Sequence, residues 1–143
     1  MSDVPLATRG GGFLFADMEP QQLFTPEQFS EEQRMVGQMA ETFANKEVRP
    51  HIEEMEAGDH AVTVRLLREA GKLGLLGATV PEAYGGQGLS KVTTALILEK
   101  LARAGSFVIS YGAHNGIGTL PVVLFGNEEQ KARYLPAMAS GEK

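Results

Sequence analysis

From residue 30 onward the apolar residues return every three or four positions and nowhere alternate convincingly in twos. That spacing is the signature of helices buried on one side, so it limits the chain to an all-helical fold. Met35, Val36, Met39, Ala40, Phe43 and Ala44 make one such stripe, read as core and not as a cofactor box. Thr25-Pro26 and the Ser30-Glu31-Glu32-Gln33 capping box supply start signals ahead of it. Pro50 is expected to kink or end this helix, with a further turn or two before Gly58. Residues 62–73 read as a second long helix with Leu66, Leu67, Ala70 and Leu73 inside, and Gly74 as its left-handed stop. Residues 75–79 form a short, buried apolar link.

Ser90 opens a third helix. Val92, Ala95, Leu96, Ile97, Leu98, Leu101 and Ala102 cover most of its circumference, which predicts a central position. A fourth helix runs from about Ser106 to Pro121 and resumes after a break over residues 122–125. That last stretch also permits a strand, but it is short and follows a proline. Gly126 stops the helix, and Asn127 caps a fifth through about Met138. The expectation is all-α, a bundle of about five or six helices. Residues 1–24 are rich in Gly, Pro and Gln, with apolar anchors at 13–15 and 23–24. They read either as an extended arm pinned to the body or as a frayed terminus.

Composition closes off several function classes. A length of 143 residues suits one domain, and 43% hydrophobic residues suffice for a core. The net charge is −5 without any Lys/Arg cluster, which argues against nucleic acid as a partner. With no cysteine, thiol catalysis and disulfides are excluded. No apolar run approaches the roughly 20 residues of a membrane span. The first residues lack the apolar stretch of a secretory signal, which leaves the cytoplasm as the expected location.

The loop at 80–90, VPEAYGGQGLS, has the look of a phosphate cradle. A dinucleotide loop needs G-x-G-x-x-G after a strand, and a P-loop needs a following Lys-Ser/Thr. Neither pattern is present, so the glycines read as turn formers ahead of a capped helix. His114 sits among Gly112, Ala113, Gly116 and Gly118, small residues that let a neighbour approach the backbone. It reads as a hydrogen-bonded structural histidine, and no second His or acid four residues on completes a metal set. Glu53, Glu54 and Glu56 read as a solvated face. No residues assemble a nucleophile, base and oxyanion hole, so no catalytic residue is assigned and no metal is expected.

Four segments in order carry a family resemblance: FSEEQRMVGQMAETFANKEVRP, LGLLGATVPEAYGGQGLS, LILEKLARAGSF and AHNGIGTLPVVLFGNEEQKARYLPAMASGEK. They resemble the N-terminal helical domain of acyl-CoA dehydrogenases, flavoenzymes of fatty-acid and amino-acid breakdown. The match covers roughly residues 25–143. The leading segment, GGGFLFADMEPQQLFTPEQF, is most similar to very-long-chain and related bacterial members.

The resemblance implies a division into an arm (1–24) and a helical domain (25–143). It also implies that the middle β domain and C-terminal helical domain of the family lie outside this chain, which would leave the fragment inactive alone. The family reaction is FAD-dependent α,β-dehydrogenation of an acyl-CoA thioester, with electrons passed to an electron-transfer flavoprotein. FAD would be held mainly by the domains outside this chain, and the full-length protein would form homo-oligomers. By position in the matching helix, Ile109, Ser110, Ala113, His114 and Ile117 would face the acyl chain, with Tyr84 close by. Two alternatives use the same scaffold: a non-catalytic helical binding module, and an acyl-CoA oxidase or nitroalkane-oxidase-like flavoprotein.

Overall fold

The computed structural model describes residues 12–15, 17, 19 and 24–143. Among them every regular element is helical. The chain divides into two compact units, Met1–Ser30 and Glu31–Lys143. In the first, Gly12–Leu14 and Pro26–Gln28 each form a short 3₁₀ turn. The arm expected over 1–24 otherwise falls largely outside the described residues.

In the second unit, helix α1 (Glu31–Phe43) carries Glu31 and Glu32 in its first turn, where the helix dipole favours negative charge. At Pro50 its regular geometry is interrupted, as expected, with His51 at φ −109° and ψ 10°. The backbone widens into a π-helical stretch, Ala44–Val48, then tightens into a 3₁₀ turn, Arg49–His51, and resumes as α2 (Ile52–Glu56). Proline lacks an N–H, and its ring collides with the carbonyl four residues back in a regular α-helix. Changing the pitch just ahead of Pro50 lets the helix continue.

The same solution recurs at Pro121. Helix α5 (Phe107–Gly112) passes into a π-helical stretch, Ala113–Thr119, and on into α6 (Leu120–Phe125). The break expected there is therefore absent, and one long helix spans 107–125, with no strand at 122–125. Gly126 ends it in an extended conformation.

Helix α3 (His60–Lys72) starts two residues earlier than its apolar pattern suggests. The Asp59 carboxylate accepts from Ala61 N at 3.0 Å and Val62 N at 3.3 Å, and so caps it. Gly74 turns the chain at φ +76°, and Leu75, Leu76, Gly77 and Ala78 are all buried beyond it. Helix α4 (Lys91–Leu101) is capped by Ser90 Oγ, which accepts from Thr93 N at 3.1 Å. Helix α7 (Glu128–Ser140) begins with a reciprocal pair: Gln130 N donates to Asn127 Oδ1 at 2.8 Å and Asn127 N to Gln130 Oε1 at 3.0 Å.

The main core gathers Phe43 and Val48 from the first helical run, Leu66 and Ala70 from α3, Ile97 and Leu101 from α4, and Phe107 and Tyr111 from α5. Phe43 meets Phe107 edge to face at 5.8 Å. Burying each large apolar side chain stabilises the fold by about 1.5–3 kcal/mol. A second cluster joins Val80 to Leu135 and Ala139 of α7. Helix α7 also crosses α3 at Gly71, where an added Cβ would collide with the Ser140 carbonyl oxygen. Helix α4 is less central than its composition predicts. It buries Thr93, Leu96, Ile97 and Leu101, while Val92, Ala95 and Leu98 stay exposed.

Candidate functional site

The helix spanning 107–125 sorts its residues into ladders four apart, because an α-helical turn followed by a wider π turn keeps every fourth side chain nearly aligned. Phe107, Tyr111, Asn115 and Thr119 face the core. Ile109, Ala113 and Ile117 form the opposite, outward ladder; Ile109 is 72% and Ile117 80% exposed. Two large β-branched side chains left this open on one ladder are a conspicuous apolar strip. Ser110 and His114 lie half-buried between ladders.

His114 is held in place. Its Nε2–H donates to the Met138 carbonyl at 2.9 Å, tying the long helix to the last turns of α7. That matches the structural role its glycine-rich surroundings suggest. On the core side the Tyr111 hydroxyl donates to the Leu75 carbonyl at 2.8 Å, and Asn115 Nδ2 approaches the same oxygen at 3.4 Å. Burial pushes the Tyr111 phenol well above the ordinary tyrosine range.

A second feature lies beside the strip. Gly112 and Gly116 face Thr94, Ala95 and Leu98 of α4 across a groove of about 250 Å³ that ends at Leu120. A Cβ on either glycine would meet nothing within 4 Å. The groove is thus shaped by residue size, and its wall is the open face of α4. The sequence signal for it was the pair of small residues beside His114; the α4 contribution carried no signal, since an apolar position looks alike whether covered or open.

The glycine loop is a turn. After the 3₁₀ turn Glu82–Tyr84, Gly85 and Gly88 adopt φ +81° and +58°. Its N–H groups are spent internally: Gly85 to Glu82 O, Gly86 to Pro81 O, Gln87 to Gly77 O, Gly88 to Val80 O and Leu89 to Ala78 O. None of these five is free to cradle a phosphate, so the loop does not fit the pyrophosphate of a dinucleotide. Tyr84 packs on the second cluster with Val122 and Val123. Its hydroxyl donates to Glu128 Oε2 at 2.5 Å. The carboxylate holds the Tyr84 phenol above its usual range, and the Tyr84 hydroxyl, aided by Lys131, holds Glu128 below the usual carboxylate range.

Among the described residues no group of three or more His, Asp or Glu is placed to hold a metal, and no helix is long and apolar enough to cross a membrane. What the long helix and α4 present is an apolar strip and a groove.

Comparison with known proteins bears on the family. The family described as acyl-CoA dehydrogenase, N-terminal domain, matches residues 30–142. A Bacillus subtilis (strain 168) protein named "Probable acyl-CoA dehydrogenase" is 56% identical over 135 residues, covering 94% of this chain and 23% of that protein. Mitochondrial isovaleryl-CoA dehydrogenase of Pongo abelii is 38% identical over 115 residues, covering 79% of this chain and 27% of its own length. Among solved structures, acyl-CoA dehydrogenase complexed with FAD from Bacillus anthracis superposes with a TM-score of 0.91 at 57% identity, over 96% of this chain and 23% of that one. A structure described as the electron transferring flavoprotein of Acidaminococcus fermentans gives 0.72 at 33% identity, over 82% of this chain and 31% of that one. The chain thus spans roughly a quarter to a third of the length of these relatives.

Proposed function

The chain belongs to the acyl-CoA dehydrogenase family, as its N-terminal helical domain, and on that premise we propose that it forms one wall of the acyl-chain pocket of an FAD-dependent acyl-CoA dehydrogenase. The observation that carries the proposal is the outward ladder of Ile109, Ala113 and Ile117. An alkyl chain laid on such a strip gains about 0.8 kcal/mol per buried CH₂. Ala113, the small member, leaves room between the two isoleucines. Ser110 and His114 flank the strip; His114 contributes by locking the helix to α7. Tyr84 belongs at the margin of the pocket, with its hydroxyl already engaged.

Within the same proposal, residues 25–143 form the helical domain and 1–24 an arm ahead of it. The acid–base group and the flavin-binding surface come from polypeptide beyond this unit. FAD, when bound, would supply the acceptor for the β hydride; Ile109, Ala113 and Ile117 would shape and dry the space for the acyl chain. The electron acceptor is an electron-transfer flavoprotein, the whole enzyme is a homo-oligomer, and it works in the cytoplasm in fatty-acid breakdown.

The test is chain-length preference in the full-length enzyme, read by acyl-CoA-dependent dye reduction. Ala113→Phe should fill the gap in the strip and lower kcat/KM for long acyl chains by tenfold or more, about 1.4 kcal/mol, while sparing short ones. Unchanged preference would remove these residues from the pocket. A flavin-loaded full-length protein that turns over no acyl-CoA would sink the enzyme reading itself.

A further inference from the structure

We propose that Tyr84 and Glu128 form a clasp that holds the glycine loop shut against the start of α7, so that Tyr84 acts by position and not by offering its hydroxyl to a ligand. The two residues are 44 apart in sequence, and their contact at 2.5 Å joins the loop to the first turn of α7. The aromatic ring and the hydroxyl do separate jobs: the ring packs on the cluster of Val80, Leu135 and Ala139, and the hydroxyl closes the latch. Glu128 is prepared for this. It stands in the first turn of a capped helix, where negative charge is favoured, and Lys131 Nζ lies 3.6 Å from its other oxygen.

The loop is built to need a fastening. Gly85 and Gly88 sit at positive φ, and a Cβ on Gly86 would collide with the Val80 carbonyl. Glycines cost more entropy to order than any other residue. Five backbone hydrogen bonds close the loop on itself, but all run to residues 77–82, so none ties it to another helix. The clasp supplies that tie. The inference stands on this unit alone and does not depend on the pocket assignment.

Amide hydrogen exchange on the 143-residue chain tests it. Tyr84→Phe keeps the ring and removes the latch. Exchange at Gly86, Gln87, Gly88 and Leu89 should quicken by about two- to tenfold, with core amides such as Ala70 unchanged. Glu128→Ala should do the same, and the double variant should be no faster than either single one, the signature of a shared contact. Glu128→Gln, which keeps an acceptor, should restore most of the protection. Wild-type exchange in Tyr84→Phe, or additive effects in the double variant, would overturn the clasp. A second reading comes from the phenol: its titration followed by NMR should fall back toward the ordinary tyrosine value in Glu128→Ala, which removes the acceptor. No change there would also overturn it.

Discussion

A single hydroxyl in the core shows how much one atom can fix. Tyr111 is fully buried, and its hydroxyl meets the Leu75 carbonyl 36 residues away. Tyr111→Phe leaves that carbonyl only the longer contacts from Asn115 Nδ2 and Ala78 N, both at 3.4 Å, and should cost about 1–2 kcal/mol in urea denaturation. The phenol also gives a pH signature. Its folded pKa is raised, so its contribution is complete below the unfolded value of about 10 and is lost as pH rises beyond it. Stability should therefore fall in alkaline solution, and less steeply in Tyr111→Phe. Gly71 offers a second test: Gly71→Ala sets a methyl against the Ser140 carbonyl and should destabilise by about 1–3 kcal/mol, read as a lower denaturation midpoint. Neither residue was singled out by sequence. Their partners lie tens of residues off, and spacing reports only local neighbours. Tyr84 was noticed, as a residue near a ligand, but its bond to Glu128 is equally long-range.

Helix boundaries, by contrast, were largely legible, because caps are local chemistry. Asn127 with Gln130, Ser90 and Gly74 all act where the sequence puts them. Asn127→Ala should cost about 1 kcal/mol, seen as a lower thermal midpoint. The break expected at Pro121 is absent for a physical reason. Pro50 and Pro121 each follow a π-helical stretch, and a helix that changes pitch can carry a proline that a regular one cannot. Nothing in residue type announces that change. At Pro121 it also aligns Ile109, Ala113 and Ile117 on one ladder, so the element's irregularity and its candidate wall have one origin.

At the scale of the whole unit, all-helical architecture followed from apolar period, while the direction each apolar face looks did not. The α4 helix reads as central and yet keeps Val92, Ala95 and Leu98 open. With Ile109, Ile117 and Phe125 also exposed, the 143-residue chain should bind a hydrophobic dye in its native state. Ile109→Ser with Ile117→Ser should lower that fluorescence while shifting stability by only about 0.5 kcal/mol. Dye binding unaffected by the pair would move the sticky surface elsewhere. The seam between α3 and α7 has a consequence in time. Gly71 packs on a carbonyl that arrives about seventy residues later. A ribosome adding roughly 5–20 residues each second needs several seconds to close that distance. Through that interval α3 must wait with its glycine face bare, a window in which a chaperone has something to hold.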